Sequence, residues 1–299
     1  MTALAPHPAT QIGGNVQSFD WAWQNQTYHL TYEIRGNGSP LLLLPAFSTV
    51  SSRSEMRGLA DNLSPHFQVI AIDWLGFGQS SRPALNYNPA LYQQLLQDFV
   101  TATFDEPVGV VAAGHAAGYV MKLAQRQPQV WSKMVLVAPT WKGPLRAMGA
   151  AAPVRDAVKE LVRSPGVGQV LYTLNTTPAF LKFMYRRHVY VDGTRLTPDF
   201  MQQKYEITQQ PGARFAPAAF VTGTIDPLQS REELLQIGRS LSIPTMVVIG
   251  EQSPPQSKAE MAALAALPNV QSATLPGTLG MHEEYANEVA AIVLPFLQH

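Results

Sequence analysis

The stretch from 108 to 127 constrains the fold more than any other. Val108-Gly109-Val110-Val111-Ala112-Ala113 is a short apolar run. Gly114-His115-Ala116-Ala117-Gly118 follows it, and an amphipathic stretch over 119–127 comes next. A buried strand, a sharp turn of small residues and a helix in direct succession form the unit from which parallel sheets with flanking helices are built.

The same alternation runs along most of the chain. Strands are expected near 16–21, 28–34, 41–44, 68–73, 108–112, 134–138, 245–249 and 272–275. The middle ones are continuous Val, Ile and Leu runs, as suits strands buried on both faces. The first two alternate, and Asn25-Gln26 is a turn signal between them, so an antiparallel edge hairpin is expected. Helices are expected at 55–63, 89–102, 118–127, 229–241, 257–266 and 282–297. Between 141 and 223 the alternation breaks. Helix-like pieces at 152–162, 167–174, 178–188 and 197–208 follow one another without a strand. The expected organisation is a tail over 1–14, an α/β core over 15–141 and 224–299, and a helical cap inserted over 142–223.

Composition removes several classes of function. Lys and Arg number 21 and Asp and Glu 21, so no overall basic charge favours nucleic acid. There is no cysteine, which excludes disulfides, thiol catalysis and thiolate metal sites. No stretch approaches the ~18 unbroken apolar residues of a membrane span. Residues 1–14 do not read as a secretory signal. A soluble, cytoplasmic protein without a transmembrane segment is the expectation. Zinc, phosphate-loop and dinucleotide motifs are missing, so neither a metal nor a cofactor is expected.

A second motif, Asp73-Trp74-Leu75-Gly76-Phe77-Gly78-Gln79-Ser80, follows the fourth expected strand. With the 114–118 turn about 40 residues later, it makes the chain resemble the α/β-hydrolase fold superfamily. That resemblance implies an eight-stranded, mostly parallel sheet, helices on both faces and a helical cap after the sixth strand. It also implies a nucleophile elbow, G-x-S-x-G, and a serine, carboxylate and histidine in that chain order. In such a triad the imidazole takes the serine proton and the carboxylate orients the imidazole.

Each position of the triad reads as vacant. Ala116 stands at the nucleophile position. Ser253, in Gly250-Glu251-Gln252-Ser253-Pro254, stands at the acid position. Matching His282-Glu283-Glu284 to the end of the family's histidine string puts Leu279 at the histidine position. The alternative alignment makes His282 the base, one helical turn away; the plain reading is that His282 and its two glutamates open the last helix. The backbone N–H groups of Phe47 and Ala117 are the candidate oxyanion donors. His115, Ser48 and Trp141 are candidate pocket-lining residues, and Arg53 stands in the same hydroxyl-rich loop as Ser48. Asp226 is expected to cap the helix after it. In the cap, Tyr172, Phe180, Phe183, Met184 and Tyr185 stand at helical spacing beside the basic cluster Arg186-Arg187-His188.

The expected function is a non-catalytic α/β-hydrolase-fold protein that binds an apolar or ester-like small molecule, or a protein partner. The alternative is an ester or lipid hydrolase with a site relocated to His282, or a hydrolase trapped by a Ser-to-Ala change. A trapped enzyme would keep its acid and histidine, and Ser253 and Leu279 argue against it. A finer resemblance is to serine-lacking proteins of cyanobacteria and plastids. It rests on Ala116-Ala117-Gly118-Tyr119, Ala138-Pro139-Thr140-Trp141 and Gly212-Ala213-Arg214-Phe215-Ala216-Pro217-Ala218.

Overall fold

The computed structural model describes residues 10–299; residues 1–9 of the expected tail lie outside them. The strands are β1 (Asn15–Trp23), β2 (Gln26–Arg35), β3 (Pro40–Leu44), β4 (Gln68–Ile72), β5 (Val108–Ala113), β6 (Trp131–Val137), β7 (Thr245–Gly250) and β8 (Val270–Leu275). They form one sheet in the order β1-β2-β4-β3-β5-β6-β7-β8. The β1–β2 and β2–β4 pairings are antiparallel and all others parallel. The strands that read as unbroken apolar runs, β3 to β7, are buried almost throughout. The hairpin turn is Gln24-Asn25 rather than Asn25-Gln26, because Trp23 pairs with Gln26. Both turn residues take positive φ, 48° and 61°, which matches the twist of the flanking strands.

The core helices are α1 (Arg57–Leu63), α2 (Pro89–Thr103) and α3 (Ala116–Arg126) before the insertion. Between β6 and β7 every regular element is helical: α4 (Pro144–Ala147), α5 (Ala152–Arg163), α6 (Val167–Leu174), α7 (Pro178–Met184), α8 (Pro198–Thr208), α9 (Phe215–Val221) and α10 (Arg231–Ser240). The last core helices are α11 (Pro255–Ala265), α12 (Met281–Glu284) and α13 (Ala286–Gln298). Helix α1 packs on α13, while α2, α3, α10 and α11 pack in succession. We call the segment from α4 to α9 the cap. Asn88 starts α2 by accepting the Leu91 N–H at 3.0 Å, with Pro89 at the first helical position.

The expected helix over 282–297 is broken at Tyr285, whose φ and ψ of −118° and 40° are not helical. The two glutamates do stand in a first turn, but that of the separate short α12 and not of one long last helix. Glu284 accepts from the Val191 and Asp192 amides of the cap, which fixes the short α12 against that segment.

The Asp73 motif is a structural knot. The Asp73 carboxylate accepts the Arg53 N–H at 2.6 Å and the Gln79 N–H at 2.8 Å, and pairs with the Arg53 guanidinium. Arg53 also reaches Glu33 at 2.9 Å and Gln79 Oε1 at 2.7 Å, and Glu33 accepts the amides of Ile12 and Gly14. Arg53 is fully buried here and does not line a pocket. Gly78 has φ +51°, and a Cβ there would lie 2.1 Å from the Asp73 carboxyl, so only glycine lets this loop close.

Candidate functional site

At the end of β5 the left-handed residue is Gly114, with φ +53°. Ala116 is not the strained residue. It is the first residue of α3, fully buried, and His115 before it is already right-handed helical. The turn closes through Gly114, which donates to Val137 O at 3.0 Å and accepts from Thr140 N at 3.2 Å and Ala117 N at 3.3 Å. A Cβ at Gly114 would meet Ala46 Cβ at 3.0 Å and Thr140 Oγ1 at 3.6 Å. The gap between the β3, β5 and β6 loops therefore holds no side chain from this residue. Gly118 serves a different purpose. A Cβ there would lie 2.5 Å from Pro227, so its absence lets α3 touch the loop that carries Asp226.

That contact assembles a row the sequence did not announce. Thr140 Oγ1 lies 2.8 Å from His115 Nδ1, and His115 Nε2 lies 3.4 Å from Asp226 Oδ1 without hydrogen-bonding it. Asp226 also accepts the Gly143 N–H at 2.8 Å and pairs with Arg146 at 2.9 Å. It does not cap α10; Ser230 does, accepting the Glu233 N–H at 3.1 Å. The cap's Phe220 sets its ring edge-on to His115 at 5.1 Å. Ala138, just before this segment, is a non-glycine residue with φ +43°. Such strain persists only where surrounding structure holds it, and it aims Pro139-Thr140 at the elbow.

The remaining expected positions are scattered in role. Ser253 is buried, its Oγ has no hydrogen-bond partner among the described residues, and its N–H is spent on Gly250 O. Leu279 is half-buried and packs on the main apolar core. The Ala117 amide is used inside the turn, so it is not a free oxyanion donor. Among the described residues the amides of Phe47 and His115 donate to no protein group. The Phe47 ring is held in an aromatic cluster with Trp74 and Tyr92, each at 4.8 Å. Ser48 Oγ accepts the Val50 N–H at 3.2 Å, a local turn contact. Trp141 is buried under Lys142 and Arg146, and lines with Thr140 and Ala117 a cavity of about 10 Å³, room for about one water. A larger groove of about 270 Å³ lies between Trp23, α2 and α3.

His282 belongs to another cluster. Its Nε2 lies 3.3 Å from Glu55, while its Nδ1 is buried without a hydrogen-bond partner among the described residues. Lys204 of α8 reaches Glu283 at 2.8 Å and Glu55 at 4.0 Å. Tyr185 and Tyr190 pack beside it with Val50, Leu181, Leu196 and Met201. The seam between cap and core is thus filled by an apolar cluster, three buried ionisable groups and the partly buried Glu283. Lys204 was legible in one respect: it stands between Met201 and Thr208 on one face of α8, all three buried.

Burial raises the Glu55 carboxyl above its ordinary 4.5, against the His282 hydrogen bond and the Lys204 charge. Glu283 adds to the rise. A raised folded-state pKa means the folded protein holds this proton more tightly than the unfolded chain. That contribution is complete below the ordinary glutamate range and is lost as pH rises through the elevated value. Glu55→Gln is expected to remove the loss. Its unfolding free energy relative to the wild type should improve between about pH 4 and about pH 8, as read by urea denaturation. A difference constant across that range would show that Glu55 does not titrate there.

The comparisons agree with this architecture. The model of the alpha/beta hydrolase fold matches residues 39–278, and the chain belongs to that family. An uncharacterised protein of Mycobacterium tuberculosis is 31% identical over 111 residues, 37% of this chain and 32% of the relative. The chain thus aligns with about a third of that relative's length. A haloalkane dehalogenase of Agrobacterium fabrum is 26% identical over 172 residues, 57% of this chain and 53% of the relative. Among solved structures, a serine hydrolase involved in carbazole degradation superposes with a TM-score of 0.72 at 18% identity, covering 95% of this chain and 99% of that one. No helix among the described residues is long and apolar enough to cross a membrane.

Proposed function

We propose that this chain is a non-catalytic member of the family. It holds an apolar or ester-like small molecule, or a protein partner, at the loops where its relatives carry out hydrolysis. The observation that carries the reading is Gly114. The residue with the strained elbow backbone has no side chain, and so no atom to attack a carbonyl. Ser253 and Leu279, at the acid and histidine positions, support it. The vacancy read at Ala116 moves two residues along the chain, and the unengaged amides of Phe47 and His115 supply donors for a carbonyl or carboxylate. A cytoplasmic setting and kinship with serine-lacking cyanobacterial and plastid proteins belong to the same proposal. His282 as a relocated base has less support, since its one partner among the described residues is Glu55 in the packed seam. Ala116→Ser would add a hydroxyl to the first turn of α3 and not to the strained residue, which weighs against a trapped enzyme.

One specific observation favours a second reading. Thr140, His115 and Asp226 stand in the order hydroxyl, imidazole, carboxylate. In that reading the Thr140 hydroxyl attacks an ester carbonyl as His115 Nδ1 takes its proton. The alcohol then leaves with that proton, and water releases the acyl group from Thr140. A panel of p-nitrophenyl esters from short to long acyl chains separates the two. The first reading expects turnover no faster than buffer for the wild type and for Thr140→Ala alike. Turnover by the wild type that Thr140→Ala and His115→Ala both abolish would replace it with the second.

A further inference from the structure

The cap carries an apolar outer surface that its own fold leaves unused. Among the described residues, nine of the ten exposed large hydrophobic side chains lie between Met148 and Val191. They fall in stripes. On α5, Val154 and Leu161 are 54% and 49% exposed; on α6, Val167, Val170 and Leu174 are 57%, 60% and 61% exposed. On α7, Phe180 and Phe183 are 37% and 52% exposed and their rings lie 6.4 Å apart. Spacings of three, four and seven put each set on one side of its helix. The inner side of α5 is tied down, with Arg155 on Thr222 O and Arg163 on Leu85 O. Gly168 lets α6 approach α5 closely, since a Cβ there would strike the Val162 carbonyl. The stripes of α5 and α6 therefore start from one corner.

Charge is concentrated in the same segment. Residues 142–190 hold eight Lys and Arg against two Asp and Glu, while the rest of the chain holds 13 against 19. Arg186 and Arg187 are exposed directly after α7 and have no carboxylate partner among the described residues, and Lys182 lies between the two exposed phenylalanines. An apolar face rimmed by cations suits a surface that is oily inside and anionic outside. A second copy of this chain would instead bring two basic rims together.

We propose that the outer face of α5, α6 and α7 docks the protein on an anionic lipid bilayer, with Val167, Val170, Leu174, Phe180 and Phe183 entering the interface and Lys182, Arg186 and Arg187 meeting the headgroups. The inference is independent of whether the elbow is catalytic. The test is flotation of the full chain with vesicles of phosphatidylcholine containing roughly one quarter phosphatidylglycerol. Vesicles of phosphatidylcholine alone serve as the control. The wild type should float with the anionic vesicles, at least about tenfold more than with the neutral ones, and should be released as salt rises from about 50 to about 500 mM. Val170→Glu/Leu174→Glu and Arg186→Gln/Arg187→Gln should each reduce flotation about tenfold or more, with unchanged melting because these side chains are exposed. Failure of the wild type to float, or equal flotation of the Val170/Leu174 variant, overturns the proposal. So does a concentration-dependent dimer, seen by sedimentation, that the same variant dissolves while vesicles bind neither protein; the face would then belong to a second copy.

Discussion

Arg53→Met is expected to lower the unfolding free energy by about 3–5 kcal/mol, the usual result of removing one partner from a buried ion pair. In a chain of this size that corresponds to a fall in melting temperature of roughly 10 °C. The reason lies in what Arg53 leaves behind. Asp73 and Glu33 are both fully buried, and the guanidinium is the only cation either one pairs with among the described residues. Without it two carboxylates face each other from β2 and the loop after β4, with only amides to satisfy them. Urea denaturation of the wild type and Arg53→Met measures the loss. Adding Glu33→Gln to the variant should recover part of it, because one stranded charge disappears. A loss below about 1 kcal/mol would mean that water reaches the network and that the Asp73 loop is held by its backbone bonds alone.

Lys204→Met is expected to loosen the seam between cap and core. At neutral pH the cost should be about 3 kcal/mol or more, by the same reasoning. Burial alone would lower the Lys204 pKa, but Glu283 and Glu55 outweigh it, and the ammonium is held above its ordinary range. Its charge is therefore present throughout the working pH range. The methionine variant leaves Glu55 and Glu283 in the seam with His282 as the remaining partner of Glu55. Two signatures distinguish this from a general loss of packing. The cost should shrink on acidification, as the Glu55 carboxyl neutralises. Proteolysis under native conditions should also speed up selectively within residues 178–208. A cost independent of pH would assign Lys204 a packing role beside Phe200 and Tyr185, whose rings lie under its ammonium.

Two features were legible in part. The Asp73 motif was readable as a family signature, yet its physical meaning was not. Nothing near Asp73 in sequence names Arg53 or Glu33, which stand 20 and 40 positions away and meet it only when β2 and β4 pair. The elbow was readable as a turn of small residues, but not which of them is strained. Gly114 and Gly118 are the same letter in the same motif. One supplies a left-handed backbone and the other a close approach to Pro227. Periodicity does not separate these uses, because each depends on what lies across the gap. Asp226 illustrates the same limit. A carboxylate ahead of a helix is a sound local cap, and here the helix is capped by Ser230 while Asp226 turns to Gly143, Arg146 and His115.

The sequence by itself determined the eight strands, the helical character of the insertion and the lack of a serine at the elbow. These follow from short-range causes: apolar runs, helical spacing, and the conformational limits of glycine and proline within a few residues. Tertiary structure alone decided that Gly114 is the strained residue, that Thr140, His115 and Asp226 stand in a row, and that His282 belongs to the seam with Glu55 and Lys204. Those contacts join residues separated by 25 to 227 positions. Their partners are set by strand order and by how the cap lands on the core, and no local pattern encodes either one.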